Sequence, residues 1–140
     1  LSGGNDLAES TTRDQTESTL INYAISKCLP ILGICRGMQM LGSYFGASLE
    51  NISDHAGTRH ALLTNEEYAK HFSKTVNSYH NFCLKDFPKE IEIIATDAEG
   101  SCEAFRHNWL PIEAWMWHPE RQNPFDERDL LNIKRVLNHD

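Results

Sequence analysis

Pro30-Ile31-Leu32-Gly33-Ile34-Cys35-Arg36-Gly37-Met38-Gln39-Met40-Leu41-Gly42-Ser43-Tyr44-Phe45-Gly46 is the stretch on which the fold turns. Ile31-Leu32-Gly33-Ile34 is a short apolar run bounded by proline, the pattern of a strand buried on both faces. From Arg36 onward, Met38, Met40, Leu41 and Phe45 suit a helix packed inward, and Gly46 supplies its stop. Cys35 sits alone at the joint. Small residues at Gly33 and Gly37 allow a tight strand-to-helix turn that presents a nucleophile, the cysteine form of a G-x-S-x-G elbow. The first N–H groups and the positive end of the helix then face the sulfur, so the sequence predicts an exposed thiol biased toward thiolate. The competing reading is a buried cysteine after a core strand.

Working outward, the segment before the elbow predicts a helix over 14–28. Thr11 or Thr12 is its candidate cap, and Asp14 and Glu17 suit its positive end. Leu20, Ile21, Ala24, Ile25 and Cys28 recur at helical spacing, which makes Cys28 a buried, inert thiol. Beyond the elbow, the polar stretch 50–72 yields no assignment. Lys74–Ser78 predicts a strand leading into a Tyr79–Phe82 turn. Ile91–Ala95, Cys102–Arg106 and Ile112–Trp117 predict further strands, and 126–137 a closing helix. Helix, strand, helix and then several strands indicate a layered α/β fold.

The second chemical signal is Trp117-His118-Pro119-Glu120. A histidine just past a strand can serve a cleft at the sheet's carboxyl edge. A carboxylate two residues on can accept its other ring N–H and fix its tautomer. Such a pair supplies the base and orienting group that a nucleophilic cysteine requires.

Composition narrows the classes. The chain has 140 residues, 40% hydrophobic and 24% charged, which suits one folded domain. No run approaches the ~20 apolar residues of a membrane span. A formal net charge of −7 argues against binding nucleic acid through phosphate neutralisation. Cys28, Cys35, Cys83 and Cys102 form no CxxC pair, which favours a reducing, cytoplasmic setting over a disulfide scaffold. His55 and His60 lack a cysteine pair and read as loop residues, so neither a structural zinc nor a cofactor is expected. The opening Leu1-Ser2-Gly3-Gly4 reads as a strand end entering a turn, which suggests that the sequence starts inside a domain. Trp109, Trp115 and the aromatics at 44–45 are assigned to packing, Cys83 and Cys102 to structure, and Asp126–Asp129 to a capped, solvated helix start.

Gly33–Gln39 together with Trp117–Glu120 resembles the class I glutamine amidotransferase domain, nearest its γ-glutamyl hydrolase-like branch, which includes hydrolases of γ-glutamyl-γ-aminobutyrate. Leu1–Asp6, Arg13-Asp14 with Glu17, Val76–His80 and Glu103-Ala104 agree with that branch. The resemblance spans nearly the whole chain, 1–140, as a single catalytic domain. It implies a flavodoxin-like parallel sheet with helices on both faces and extra antiparallel strands, the opening strands lying outside this sequence. It implies Cys35 as nucleophile, His118 as general acid/base and Glu120 as its partner. Backbone N–H groups of Arg36 and of Gly3 or Gly4 would form the oxyanion hole. Gln39, Tyr79, His80, Asn81 and Phe82 would hold the glutamyl portion of a small-molecule γ-glutamyl amide. The implied activity is amide cleavage through a glutamyl thioester. The alternatives are a glutaminase serving a synthase partner and a non-catalytic ligand-binding relative. Two departures bear on the leaving group: only Leu7–Thr12 separates Gly-Gly-x-Asp from Arg-Asp, and the turn reads His80-Asn81-Phe82. Arg59 and His60 are candidates to meet an anionic leaving group, with a surface loop as the alternative.

Overall fold

The computed structural model describes residues 1–138. Its elements run α1 (Thr11–Ser26), β1 (Ile31–Ile34), α2 (Arg36–Tyr44), β2 (Ser48–Asn51), β3 (Ala56–Ala61), β4 (Leu63–Thr64), β5 (Thr75–Tyr79), β6 (Phe82–Lys85), β7 (Ile91–Thr96), β8 (Cys102–His107), β9 (Ile112–Trp115) and α3 (Glu127–Asn138). The main sheet is mixed, in the order β1-β9-β8-β7-β4. Among the described residues parallel pairing is confined to β1 with β9, where Ile31 meets Ile112 and Ile34 meets Trp115. The other pairs are antiparallel, including the two separate ribbons β2–β6 and β3–β5. Alongside β1, the Leu1 amine donates to Leu32 O at 2.8 Å and Ile34 N donates to Leu1 O at 2.9 Å.

The alternation of β9 divides the core. Ala114 and Met116 join Met38, Leu41 and Ile21 on the side of α1 and α2. Trp115 and Trp117 join Phe72, Tyr68 and Val136 on the side of α3. The two indoles stack with centroids 5.3 Å apart and planes 5° apart, and Phe72 meets both edge-on. Such aromatic pairs add about 0.5–1.5 kcal/mol each beyond the area they bury.

Several expectations are corrected. Helix α1 starts three residues before 14, and its N-cap is Ser10, whose side chain makes no capping bond. The helix ends before Cys28, which has φ 51° and is exposed, so its thiol is not buried. Leu20 is 53% exposed and Ile21 carries the burial of that face. Trp109 is 70% exposed, because it lies in the turn between β8 and β9 rather than on a sheet face. The polar stretch 50–72 contains β3 and β4, and His60 lies on β3 rather than in a loop, while His55 is buried. Among the described residues no helix is long and apolar enough to cross a membrane.

The start of α3 is capped as expected, with Arg128 N donating to Asp126 Oδ1 at 2.8 Å. It is not solvated throughout, because Asp129 is buried beside Trp117. Burial, reinforced by the Asp126 charge, pushes the Asp129 carboxyl up to about 6 against the opposing indole N–H. A carboxyl raised by folding stabilises the protein fully below its ordinary pKa, and that contribution is lost as pH rises through about 6. Asp129→Asn should remove this dependence. Between about pH 4.5 and 7.5 the wild type should lose on the order of 2 kcal/mol relative to the variant in urea unfolding. Equal pH slopes for the two proteins would contradict the assignment.

Candidate active site

The elbow is strained as a nucleophile turn requires. Cys35 has φ 50° with ψ −106°, a positive-φ conformation outside the left-handed helical region that costs a non-glycine residue free energy. It is held by Cys35 N donating to Trp115 O at 2.8 Å, and Gln39 N returns a bond to Cys35 O at 3.0 Å. Gly33 has no room for a side chain: a Cβ there would lie 2.7 Å from Gly37 O and from Leu41 Cδ1. A Cβ on Gly37 would collide with the backbone of Leu1, so the opening turn lies directly against the first turn of α2.

Register brings the second half of the site to the same edge. Since β9 runs parallel to β1 with Trp115 opposite Ile34, the chain beyond Trp115 and the chain beyond Ile34 leave the sheet together. His118 follows, and its Nδ1 lies 2.6 Å from Glu120 Oε1 on the short 3₁₀ turn Pro119–Arg121. A carboxylate accepts, so Nδ1 carries the hydrogen and Nε2 is left with a lone pair. The ring is clamped from its backbone: His118 N donates to Asn77 Oδ1 and Asn77 Nδ2 donates to His118 O, both at 2.8 Å. Tyr79 meets the imidazole edge-on at 5.8 Å, and the Arg121 guanidinium lies 4.4 Å from the centre of that phenol ring. A Cβ on Gly3 would sit 2.5 Å from His118 Cε1, so the opening turn touches the His118 ring as well as α2.

That turn is oriented by Arg13. Its Nη2 donates to Ser2 O and Gly3 O, both at 3.1 Å, while Nε donates to Glu17. In a trans peptide the N–H points opposite to the carbonyl. Carbonyls 2 and 3 drawn toward Arg13 therefore turn the N–H groups of Gly3 and Gly4 away from it. Glu17 and Asp14 also take the Arg36 guanidinium, which is 1% exposed. The Arg36 side chain is thus bound to α1, and only its backbone N–H serves the sulfur.

The state of the thiol differs from expectation. Cys35 is 5% exposed, and burial raises its pKa to about 11. The Arg36 N–H and the Arg121 charge oppose that rise, while Glu120 and Glu103 add to it. Desolvation outweighs the helix terminus, so the resting sulfur is a buried, protonated thiol rather than an exposed thiolate.

Of the residues assigned to the glutamyl portion, Gln39 reaches the turn, its Nε2 donating to Phe82 O at 3.4 Å. Tyr79 and Asn81 are exposed and Phe82 is half-buried. His80 turns inward, with Nδ1 2.9 Å from Phe82 O. Arg13 and Asn77 lie in segments that agree with the family pattern but carried no assigned role, and Arg121 was not singled out. Their partners are distant in sequence, and only the Arg13–Glu17 spacing offered a local signal. Cys83 and Cys102 are buried as expected.

A strand–cysteine–helix elbow beside a parallel strand that ends in His-Pro-Glu defines a class I glutamine amidotransferase-like domain. Residues 4–120 match Peptidase C26, and the chain belongs to that family. It is 31% identical over 137 residues to the γ-glutamyl-CDP-amidate hydrolase of Campylobacter jejuni, covering 94% of this chain and 66% of that protein. It is 28% identical over 124 residues to the glutamine-hydrolysing GMP synthase component of Methanocaldococcus jannaschii, covering 86% of this chain and 62% of the relative. The chain therefore spans somewhat under two thirds of the length of these relatives. A crystal structure from Thermoplasma acidophilum, of a protein proposed to be the corresponding GMP synthase component, superposes with TM-score 0.80 at 25% identity, over 99% of this chain and 71% of that one.

The two thiols of different burial should separate in alkylation. At neutral pH without substrate, iodoacetamide should modify exposed Cys28 well before Cys35, as read by peptide mass spectrometry over time. Faster labelling of Cys35 would contradict its protonated resting state.

Proposed function

We propose that this chain cleaves the γ-glutamyl amide bond of a small molecule, with Cys35 as nucleophile, His118 as acid/base and Glu120 as its orienting partner. The reading is carried by the strained Cys35 elbow lying at the same sheet edge as a tautomer-fixed His118–Glu120 pair. Its chemistry follows from the resting state. Because Cys35 holds its proton, attack requires transfer of that proton to Nε2 of His118 as sulfur bonds to the side-chain carbonyl carbon. The Glu120 carboxylate stabilises the imidazolium so formed. Backbone N–H groups of Arg36 and of Gly3 or Gly4 receive the developing oxyanion; loss of one such donor typically costs about 3–4 kcal/mol of transition-state stabilisation. Collapse breaks the C–N bond, and Nε2 returns the proton to the departing nitrogen. Water then attacks the thioester, His118 takes its proton, and glutamate leaves as the thiol is restored.

Gln39 and the Tyr79–Phe82 turn are the proposed seat of the glutamyl portion. For the leaving group, the similarity to a γ-glutamyl-CDP-amidate hydrolase favours an anionic moiety. Two cations support it: Arg121, over the Tyr79 phenol, and Arg59, which donates at 3.0 Å to Gln122, the residue next to Arg121. The similarity to a GMP synthase component supports a second reading, in which glutamine is the substrate and ammonia passes to a synthase.

The test is release of free glutamate from a panel containing γ-glutamyl-CDP-amidate, γ-glutamyl-γ-aminobutyrate and glutamine. Cys35→Ala should lower turnover by at least about 10⁴-fold while leaving the far-UV spectrum unchanged. Arg59→Ala should raise KM for the nucleotide substrate and leave that for glutamine unaltered. Turnover retained in Cys35→Ala would overturn the mechanism. Glutamine cleavage only with a synthase present would favour the second reading.

A further inference from the structure

Four side chains outside the Cys35–His118–Glu120 group converge on one point. His55 comes from the loop before β3, His60 from β3, His80 from the end of β5, and Glu103 from β8. One donor atom from each lies within 4.8 Å of the others. The His55 ring lies 5.1 Å from that of His60 and 5.0 Å from that of His80, centroid to centroid.

The backbone sets the hydrogen positions. Nδ1 of His55 lies 2.8 Å from Ser53 O, Nδ1 of His60 3.0 Å from Ala61 O, and Nδ1 of His80 2.9 Å from Phe82 O. A carbonyl only accepts, so each Nδ1 carries a hydrogen; the neutral rings of His60 and His80 then present a bare lone pair at Nε2, whereas His55, whose Nε2 lies 2.9 Å from Asp97 Oδ2, carries hydrogens on both nitrogens to meet both acceptors. For His60 and His80 that lone pair faces Glu103 Oε1, at 3.5 Å in both cases. Acceptor therefore meets acceptor. Neither Nε2 has a hydrogen-bond partner among the described residues, and neither does either Glu103 oxygen. Glu103 is wholly buried and the His80 side chain is 1% exposed. Asp97, the other carboxylate nearby, has its own donors in His55 Nε2 at 2.9 Å and the backbone N–H groups of Glu99 and Ser101. Glu103 has no hydrogen-bond donor, and a buried carboxylate left without one is an unfavourable arrangement.

We propose that His60, His80 and Glu103 bind a divalent transition cation of the zinc type, with His55 completing the set as its Nε2 releases a proton to solvent and turns from Asp97 to the metal. Two observations fit the ion. Tetrahedral zinc with bonds of about 2.0–2.1 Å holds neighbouring donor atoms roughly 3.3 Å apart, close to the 3.5 Å separations here. An Nδ1–H donated to a backbone carbonyl is the outer contact that metal-bound histidines ordinarily make, and all three rings make it. Imidazole-rich donors favour zinc over magnesium or calcium, which prefer oxygen. Placed there, the ion ties β3, β8 and the Tyr79–Phe82 turn together, so its role is to position that turn and not to enter the amide chemistry. Asp97 loses one donor on binding but retains both backbone N–H groups.

The experiment reads metal directly and so stands apart from any γ-glutamyl activity. The purified protein carries Cys28→Ser and Cys35→Ala, so that neither the exposed thiol nor the proposed nucleophile competes. It is dialysed against Zn²⁺ and analysed for bound metal, and in parallel titrated with Co²⁺ for the visible absorption of a tetrahedral site. One ion per chain is expected. His60→Ala and Glu103→Gln, added singly, should each weaken binding by at least about 10-fold. Zinc should raise the Tm of the parent and not that of His60→Ala, whose half-buried position on a two-stranded ribbon favours retention of the fold. Absence of stoichiometric binding, or binding and Tm shifts unaltered by either substitution, would overturn the proposal and leave protons as what neutralises Glu103.

Discussion

The parallel pairing of β1 with β9 is the constraint on which the rest depends. It is a four-residue register, and a slip by one residue would reverse the facing of every side chain. In the observed register the Cys35 N–H is spent on Trp115 O, which fixes where β1 stops and the elbow begins. The same register makes Trp115 and Trp117 one wall of a core while Met116 faces the other, and the chain to His118 leaves the sheet at the same edge as the elbow. Placement of two chemical groups thus follows from one short ladder, reinforced from behind by stacked indoles.

Around that ladder, two arginines from neighbouring regions serve one small turn. Arg13 draws the carbonyls of Ser2 and Gly3 outward, and Arg36 binds α2 to α1 through Asp14 and Glu17. Glu17 is shared between them, so the pose of the opening turn and the pose of α2 are coupled through one carboxylate. The glycines matter here through what they lack. Gly3 yields space to the His118 ring and Gly37 to the Leu1 backbone.

Much of this was legible in the chain because it is locally encoded. The strand–cysteine–helix pattern, the β7–β9 segments and α3 each carry their periodicity in consecutive residues, and their observed limits fall within a few positions of those expected. Residues 50–72 resisted reading because their strands pair at a distance, β2 with β6 and β3 with β5, on faces too exposed to alternate. Cys28 was misplaced by pattern, since the helical spacing runs on to a point where the chain has already turned, and Trp109 by residue type, since a large aromatic was assigned to packing where it lies in an exposed turn. Asp129 reads as an ordinary helix-start acid, and only the packing of Trp117 removes it from water. The convergence of His55, His60, His80 and Glu103 has no local signature, since it is assembled by non-sequential strand pairings. The ionisation of Cys35 was misjudged for a related reason. A helix terminus can be inferred from sequence, whereas the desolvation that opposes it depends on what the fold lays over the sulfur.

That covering has a consequence for chemical durability. Thiolates are the forms that react with peroxides and disulfides, so a sulfur kept protonated and enclosed by packing resists sulfenic acid formation. Cys28, on the surface beyond α1, has no such shelter. Oxidative damage to this protein would therefore register first at Cys28, while the elbow cysteine is shielded by the same packing that keeps it protonated.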